Sequence, residues 1–172
     1  MRRELLSEGD QQLSVVEMRA DTLRPTQAIW AHSRAEGSEM IKTIYNGPQA
    51  DLELTSVQAV TTNQRINIPS DARDEQSIAM LIRALPLASG YATRINLFST
   101  LAGATESAEI VTAGDEQIES PAGAFDAWRV NINTTTNAAV AWVGKDAPYP
   151  LLKFEDDRSG VTYELTNFQP GE

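Results

Sequence analysis

Cysteine is absent from this chain of 172 residues, which removes disulfides, thiolate metal sites and thiol nucleophiles in one step. Histidine occurs once, at His32. A triad base or an imidazole ligand would have to be that residue, and a zinc ion would need carboxylates for nearly all its ligands. Basic residues are outnumbered: 14 Lys and Arg stand against 24 Asp and Glu, for a formal charge of −10. Phosphate backbones and anionic membrane surfaces both require a basic face, so neither fits as an electrostatic partner. No apolar run approaches the ~18 residues of a membrane-spanning helix. There is no G-x-S-x-G elbow, no glycine-rich phosphate loop and no D-x-[DN]-x-[DN]-G calcium loop. His32 therefore reads as a strand histidine beside Trp30. Glu155-Asp156-Asp157 and Asp71 with Asp74-Glu75 read as turn and helix-cap charges. No catalytic residue, metal or cofactor is expected.

What the chain does have is one helical pattern among strands. In Asp74 to Leu85, DEQSIAMLIRAL, the residues Ile78, Leu81, Ile82 and Leu85 fall at i, i+3, i+4 and i+7, one apolar stripe of period 3.6. Ser70 and Asp71 are candidate caps, Asp74 and Glu75 suit the positive end of the dipole, Arg83 suits the other end, and Pro86 stops the helix. Burying the four stripe side chains is worth about 6–12 kcal/mol gross.

Elsewhere the pattern has period two. Gln11 to Ala20, Thr26 to Ser33 and Ser38 to Asn46 read as strands, the last two joined by a hairpin turn that ends at Gly37. Asn46-Gly47-Pro48 turns the chain into Ala50 to Gln58, and Val60 to Ile68 follows. Tyr91 to Ser99 alternates after the helix. The last third reads as hairpins: Glu106 to Thr112, Glu116 to Ser120, Phe125 to Asn133, Ala138 to Val143, Leu151 to Asp156 and Val161 to Phe168. The turn between the first two is placed at Ala113-Gly114-Asp115. Turns about every ten residues with one helix give a mainly β (α+β) fold, an antiparallel meander curled into an open half-barrel around one central helix. A chain of this length can bury one core, and nothing in it marks a linker. Residues 1–10 are expected to be a loose polar segment and residues 11–169 a single half-barrel domain.

The stretch from Val111 to Leu152 adds a resemblance. It holds Glu116-Gln117-Ile118-Glu119-Ser120, then Pro121-Ala122-Gly123-Ala124-Phe125-Asp126-Ala127-Trp128-Arg129-Val130, then Ala141-Trp142-Val143 and Asp146-Ala147-Pro148-Tyr149-Pro150-Leu151-Leu152-Lys153-Phe154. Together with Asp21-Thr22-Leu23-Arg24-Pro25 and Leu85-Pro86-Leu87-Ala88-Ser89-Gly90-Tyr91, this resembles the bacterial family DUF3108, whose members are mostly exported proteins or lipoproteins of uncharacterised function. Its layout is similar to lipoprotein carriers, in which a helix covers the concave side of a half-barrel that holds acyl chains. That likeness is one of architecture.

One amphipathic helix amid curling strands, together with the resemblance, leads to the expectation of a non-enzymatic protein of the periplasm or cell envelope that binds a lipid or other hydrophobic small molecule, with Leu81, Leu85, Tyr91, Phe98, Trp128 and Trp142 lining the cavity. Trp128 and Trp142 are expected to face each other across a hairpin, chiefly as core packing. The alternatives are a structural or protein-interaction domain with a filled core and an exposed strand edge, and a hydrolase built on carboxylates. Met1-Arg2-Arg3 is followed by Glu4, Ser7, Glu8 and Asp10 where a signal peptide would be apolar. Export would thus mean a signal already removed and Met1 added, whereas a native Met1 would mean a cytoplasmic protein.

Overall fold

The computed structural model describes residues 2–7 and 10–169. It is mostly β, with 61% of residues in strands and one short helix among the described residues. None of the described helices is long and apolar enough to cross a membrane. The strands are β1 (Arg2–Ser7), β2 (Asp10–Met18), β3 (Pro25–Arg34), β4 (Gly37–Asn46), β5 (Gln49–Thr55), β6 (Thr61–Asn67) and β7 (Arg73–Asp74) before the helix. After it come β8 (Ala92–Ser99), β9 (Ala104–Ser120), β10 (Gly123–Asn133), β11 (Ala138–Gly144), β12 (Leu151–Asp156) and β13 (Val161–Glu164). One sheet has the order β1-β2-β3-β4-β5-β6, and the other runs β13-β12-β11-β10-β9-β8-β7. The seven-stranded sheet is a curled open half-barrel. At its edge β7 pairs with β8 in parallel over two residues, Arg73↔Leu97 and Asp74↔Phe98.

The chain divides into two compact units, the first made of Met1–Ile78 and Asn96–Glu106, the second of Ala79–Ile95 and Ser107–Glu172. The first contains the whole six-stranded sheet. Its register sets Trp30 opposite Ile41 and Ile41 opposite Leu54, and then Thr43 opposite Leu52 and Tyr45 opposite Ala50. Alternation puts all of these on one face, where Trp30, Ile41, Ala50 and Leu52 pack with Ile68, Ala72 and Phe98. β1 falls in the stretch whose polarity suggested a loose segment; its backbone pairs with β2 from Arg2↔Val15 to Ser7↔Asp10.

In the second unit both faces of the β10–β11 pair carry buried residues. One carries Ala127, Trp142 and Leu152, packed with Ile118, Phe125 and Val140. The other carries Val130 and Ile132 against Ala141 and Ala139. Because Trp128 pairs with Val143 and Trp142 pairs with Arg129, the two tryptophans lie on opposite faces. The expectation that they meet across the hairpin is thereby overturned. Phe125, Ala127 and Arg129 do share a face, as strand alternation requires.

Two elements depart from the sequence pattern. The helix α1 covers Ile78–Arg83, six residues, and is preceded by a 3-10 turn at Glu75–Ser77. Asp74 is extended (φ −73°, ψ 131°) and caps that turn, accepting from the Gln76 N–H. The cap thus sits later than Ser70 and Asp71 because Arg73 and Asp74 are already paired with Leu97 and Phe98. Beyond Arg83 the N–H groups of Ala84 and Leu85 reach the carbonyls of Leu81 and Ile82, the tighter i→i−3 pattern of a closing turn. The stripe survives, with Leu81 and Ile82 buried.

The second departure is β9, one strand of 17 residues where a turn at Ala113-Gly114-Asp115 was expected. Gly114 pairs with Arg129 and Thr112 with Val130, so Ala113 is the extra residue of a β-bulge. A glycine inside a strand pattern fits a bulge as well as a turn, and here cross-strand pairing decides it.

Candidate functional site

The second unit contains a cleft of about 640 Å3 whose walls come from three segments. That volume lies within the range of small-molecule sites. The first wall is the chain leaving α1, Arg83 to Leu87; the second is Trp128 of β10; the third is Val143, Gly144 and Lys145 at the end of β11, with Tyr149 beyond them.

Local chemistry explains each placement. Pro86 ends the helix and exposes the run Leu85-Pro86-Leu87 as a bend, closed by the Leu87 N–H on the Leu85 carbonyl at 2.8 Å. The Lys145 N–H donates to the Asp126 carbonyl at 3.0 Å, one more rung beyond the Ala127↔Gly144 pair. Gly144 donates to the Pro150 carbonyl at 2.9 Å, and a Cβ there would stand 2.9 Å from Pro150 Cδ. Only a glycine lets the 145–150 loop fold back this closely. Arg83 then ties the loop down: Nε donates to the Tyr149 carbonyl at 2.8 Å and Nη2 to the Pro148 carbonyl at 3.0 Å.

The charges in the wall are both positive. Lys145 Nζ sits 4.3 Å from the centroid of the Trp128 ring, a cation–π contact. It is also paired with Asp115, whose carboxyl it holds below the usual range through a hydrogen bond and its charge. Among the described residues Arg83 has no carboxylate partner; its third contact is Met80 Sδ at 3.5 Å.

Of the six residues expected to line a cavity, Leu85 and Trp128 are in this cleft. Leu81 is buried in the helix stripe. Trp142 is held in the packed cluster with Ala127 and Leu152, where Nε1 donates to Glu116 at 2.5 Å. The Arg129 and Lys153 cations lie 6.0 and 5.3 Å from its ring. Tyr91 is half-buried, and its carbonyl accepts from the Thr112 N–H. Phe98 belongs to the core of the first unit, edge-on to Tyr45. Arg83, Leu87, Lys145 and Tyr149 escaped the sequence reading. Lys145 lies between two expected strands with no role read for it, Tyr149 enters only as part of the family resemblance, and Arg83 only as a dipole partner.

The other chemical candidates have structural partners. His32 Nε2 lies 2.5 Å from Asp10 Oδ1, Nδ1 lies 2.8 Å from Arg34 Nη2, and the ring is edge-on to Trp30. Asp156 Oδ1 accepts from Asn137 and from the Arg158 and Ser159 backbone, a turn bracket. Asp71 accepts from Asn96. Asp74 is fully buried beneath Tyr45 and Thr100, and burial pushes its carboxyl up to about 6. No group of three or more His, Cys, Asp or Glu among the described residues could hold a metal ion.

No curated protein and no solved structure matches the chain. Residues 7–166, running through both units and taking in the whole of the β9–β12 meander around Trp128 and Lys145, match the model of the family described as protein of unknown function (DUF3108), and the chain belongs to that family.

Proposed function

We propose that this protein is a non-enzymatic component of the bacterial cell envelope that holds a hydrophobic ligand, an acyl chain or a molecule like one, in the cleft of the second unit. The observation that carries the reading is the cleft wall itself. Leu85, Pro86 and Leu87 offer apolar surface in a cleft that the Trp128 ring and the buried Val143 also line, and apolar walls with few polar groups are the usual make-up of small-molecule sites. The envelope location rests on the family resemblance to exported proteins.

A second reading has its own observation. β6 is an edge strand of the six-stranded sheet and is exposed along its length except at Ile66. Such an edge can accept a strand from a protein partner.

Native mass spectrometry of protein purified without detergent, followed by organic extraction, separates the two. A discrete adduct that extracts as lipid supports the ligand reading and identifies its class. A bare mass across independent preparations, with no shift on adding decanoate or decanol, overturns it and leaves the β6 edge as the surface to pursue.

A further inference from the structure

We infer that the ligand of this cleft is an amphiphile with an anionic head, and that Lys145 and Arg83 receive the head while the apolar wall receives the tail. The inference rests on the hydrophobic-ligand reading and adds its polar end.

The chain carries a net charge of −10, yet the charged side chains in the cleft wall are Arg83 and Lys145, both cations, with no carboxylate among the lining residues. The distribution runs against the composition. Arg83 spends two donor groups on the carbonyls of Pro148 and Tyr149. Carbonyls satisfy N–H groups without cancelling the charge, so the guanidinium keeps an uncompensated positive charge and spare donors.

Lys145 is paired with Asp115 at the edge of the cleft. Asp115 is 62% exposed, and an ion pair so open to water contributes little. An ammonium has three N–H donors, so it can keep Asp115 and still bind an oxygen of a ligand. Its seat over Trp128 fixes the head next to the ring, and Leu85, Pro86 and Leu87 take the tail. Long-range repulsion from the acidic chain is screened within about 8 Å at physiological salt, so these two local cations dominate at the site.

The test is isothermal titration calorimetry of the full chain at pH 7.5 with decanoate, decanol and acetate. Decanoate should bind at least about tenfold more tightly than decanol, the usual worth of a charged hydrogen bond, and acetate should give no heat. Lys145→Gln should remove most of the preference and leave decanol binding intact, and Lys145→Arg should restore it. Equal affinity for decanoate and decanol overturns the anionic head and leaves the hydrophobic site standing. No binding of either overturns both readings, and acetate binding as tightly as decanoate overturns the amphiphile. Decanoate preference unchanged in Lys145→Gln overturns the assignment of the head. A thermal melt of each variant shows whether it is folded, and the comparison of ligands on the unsubstituted chain is independent of that.

Discussion

The hydroxyl of Tyr45 donates to the carboxylate of Asp74, a side chain with no exposed surface, in the first unit. Three further polar groups converge there. The Gln76 N–H donates to Oδ1 at 2.8 Å, the Thr100 hydroxyl reaches Oδ2 at 3.5 Å, and Thr43 lies 3.2 Å from Thr100. Asp74 thus joins three jobs: it pairs with Phe98, caps the 3-10 turn and anchors a buried polar network beside the apolar core.

This geometry gives stability an unusual pH dependence. Burial raises the Asp74 carboxyl from 3.8 to about 6, against the lowering effect of its hydrogen bonds. In that interval the folded state binds more protons than the unfolded one, so stability falls as pH rises. Asp74's contribution is fully present below about pH 4 and lost as pH passes through 6, a swing of about 3 kcal/mol. Asp74→Asn removes the titration. Urea unfolding of both proteins at pH 4 and pH 7.5 should show the variant gaining on the wild type by about that amount at the higher pH. The same difference at both values would refute the assignment.

Tyr45→Phe tests the other partner. At pH 7.5 Asp74 is ionised and loses a buried donor, which should cost about 1–3 kcal/mol. At pH 4 the carboxyl is neutral and the cost should be smaller. Because the Tyr45 hydrogen bond lowers the Asp74 carboxyl, its loss should also move the stability midpoint upward in pH. An equal cost at both values would show that the hydroxyl serves packing alone.

Much of this fold was legible because its signals are local. Gly37 and Gly47 have positive φ at the turns that the sequence marks, and the strand that follows each alternates as its side chains do. What stayed hidden depended on partners distant in sequence. Gly114 looks like a turn until Arg129 and Val130 show which residues it pairs with. Trp128 and Trp142 look like a pair until the register separates them by one position. Asp74 looks like a first-turn residue of a long helix until Phe98 claims its backbone. Leu85 and Trp128 were legible as cavity residues from the amphipathic helix and the family resemblance together. Lys145 and Arg83 were not, because a lysine in a turn and an arginine at a helix end carry no sequence sign of a shared cleft.

The short helix predicts its own asymmetry. Ile82 has no exposed surface and Met80, two residues earlier, is 38% exposed. Ile82→Ala should cost about 2–5 kcal/mol, through lost transfer energy and the cavity left behind. Met80→Ala should fall within about 0.5 kcal/mol of the wild type, as surface substitutions do. Denaturant midpoints measure both. Comparable losses would mean that the stripe inferred from spacing does not set the helix's buried face.

The opposite facing of Trp128 and Trp142 separates stability from binding. Trp142 is 9% exposed, lies in the cluster with Ala127 and Leu152, and has its N–H on Glu116. Trp142→Ala should therefore cost about 3–5 kcal/mol, the range for emptying a large aromatic site. Trp128 is half-buried and borders the cleft, with the Lys145 ammonium above its ring. Trp128→Ala should cost less than half as much in a thermal or urea melt, since water can occupy the space it leaves. Its loss should appear in ligand binding instead, because it removes both apolar wall and the seat of Lys145. Calorimetry with decanoate should show an affinity drop of about tenfold or more for Trp128→Ala. Trp142→Phe, which keeps the cluster filled, should bind as the wild type does. If Trp142→Phe lost the ligand and Trp128→Ala kept it, the binding face would be the other side of the sheet, and the cleft beside Lys145 would have to be abandoned as the site.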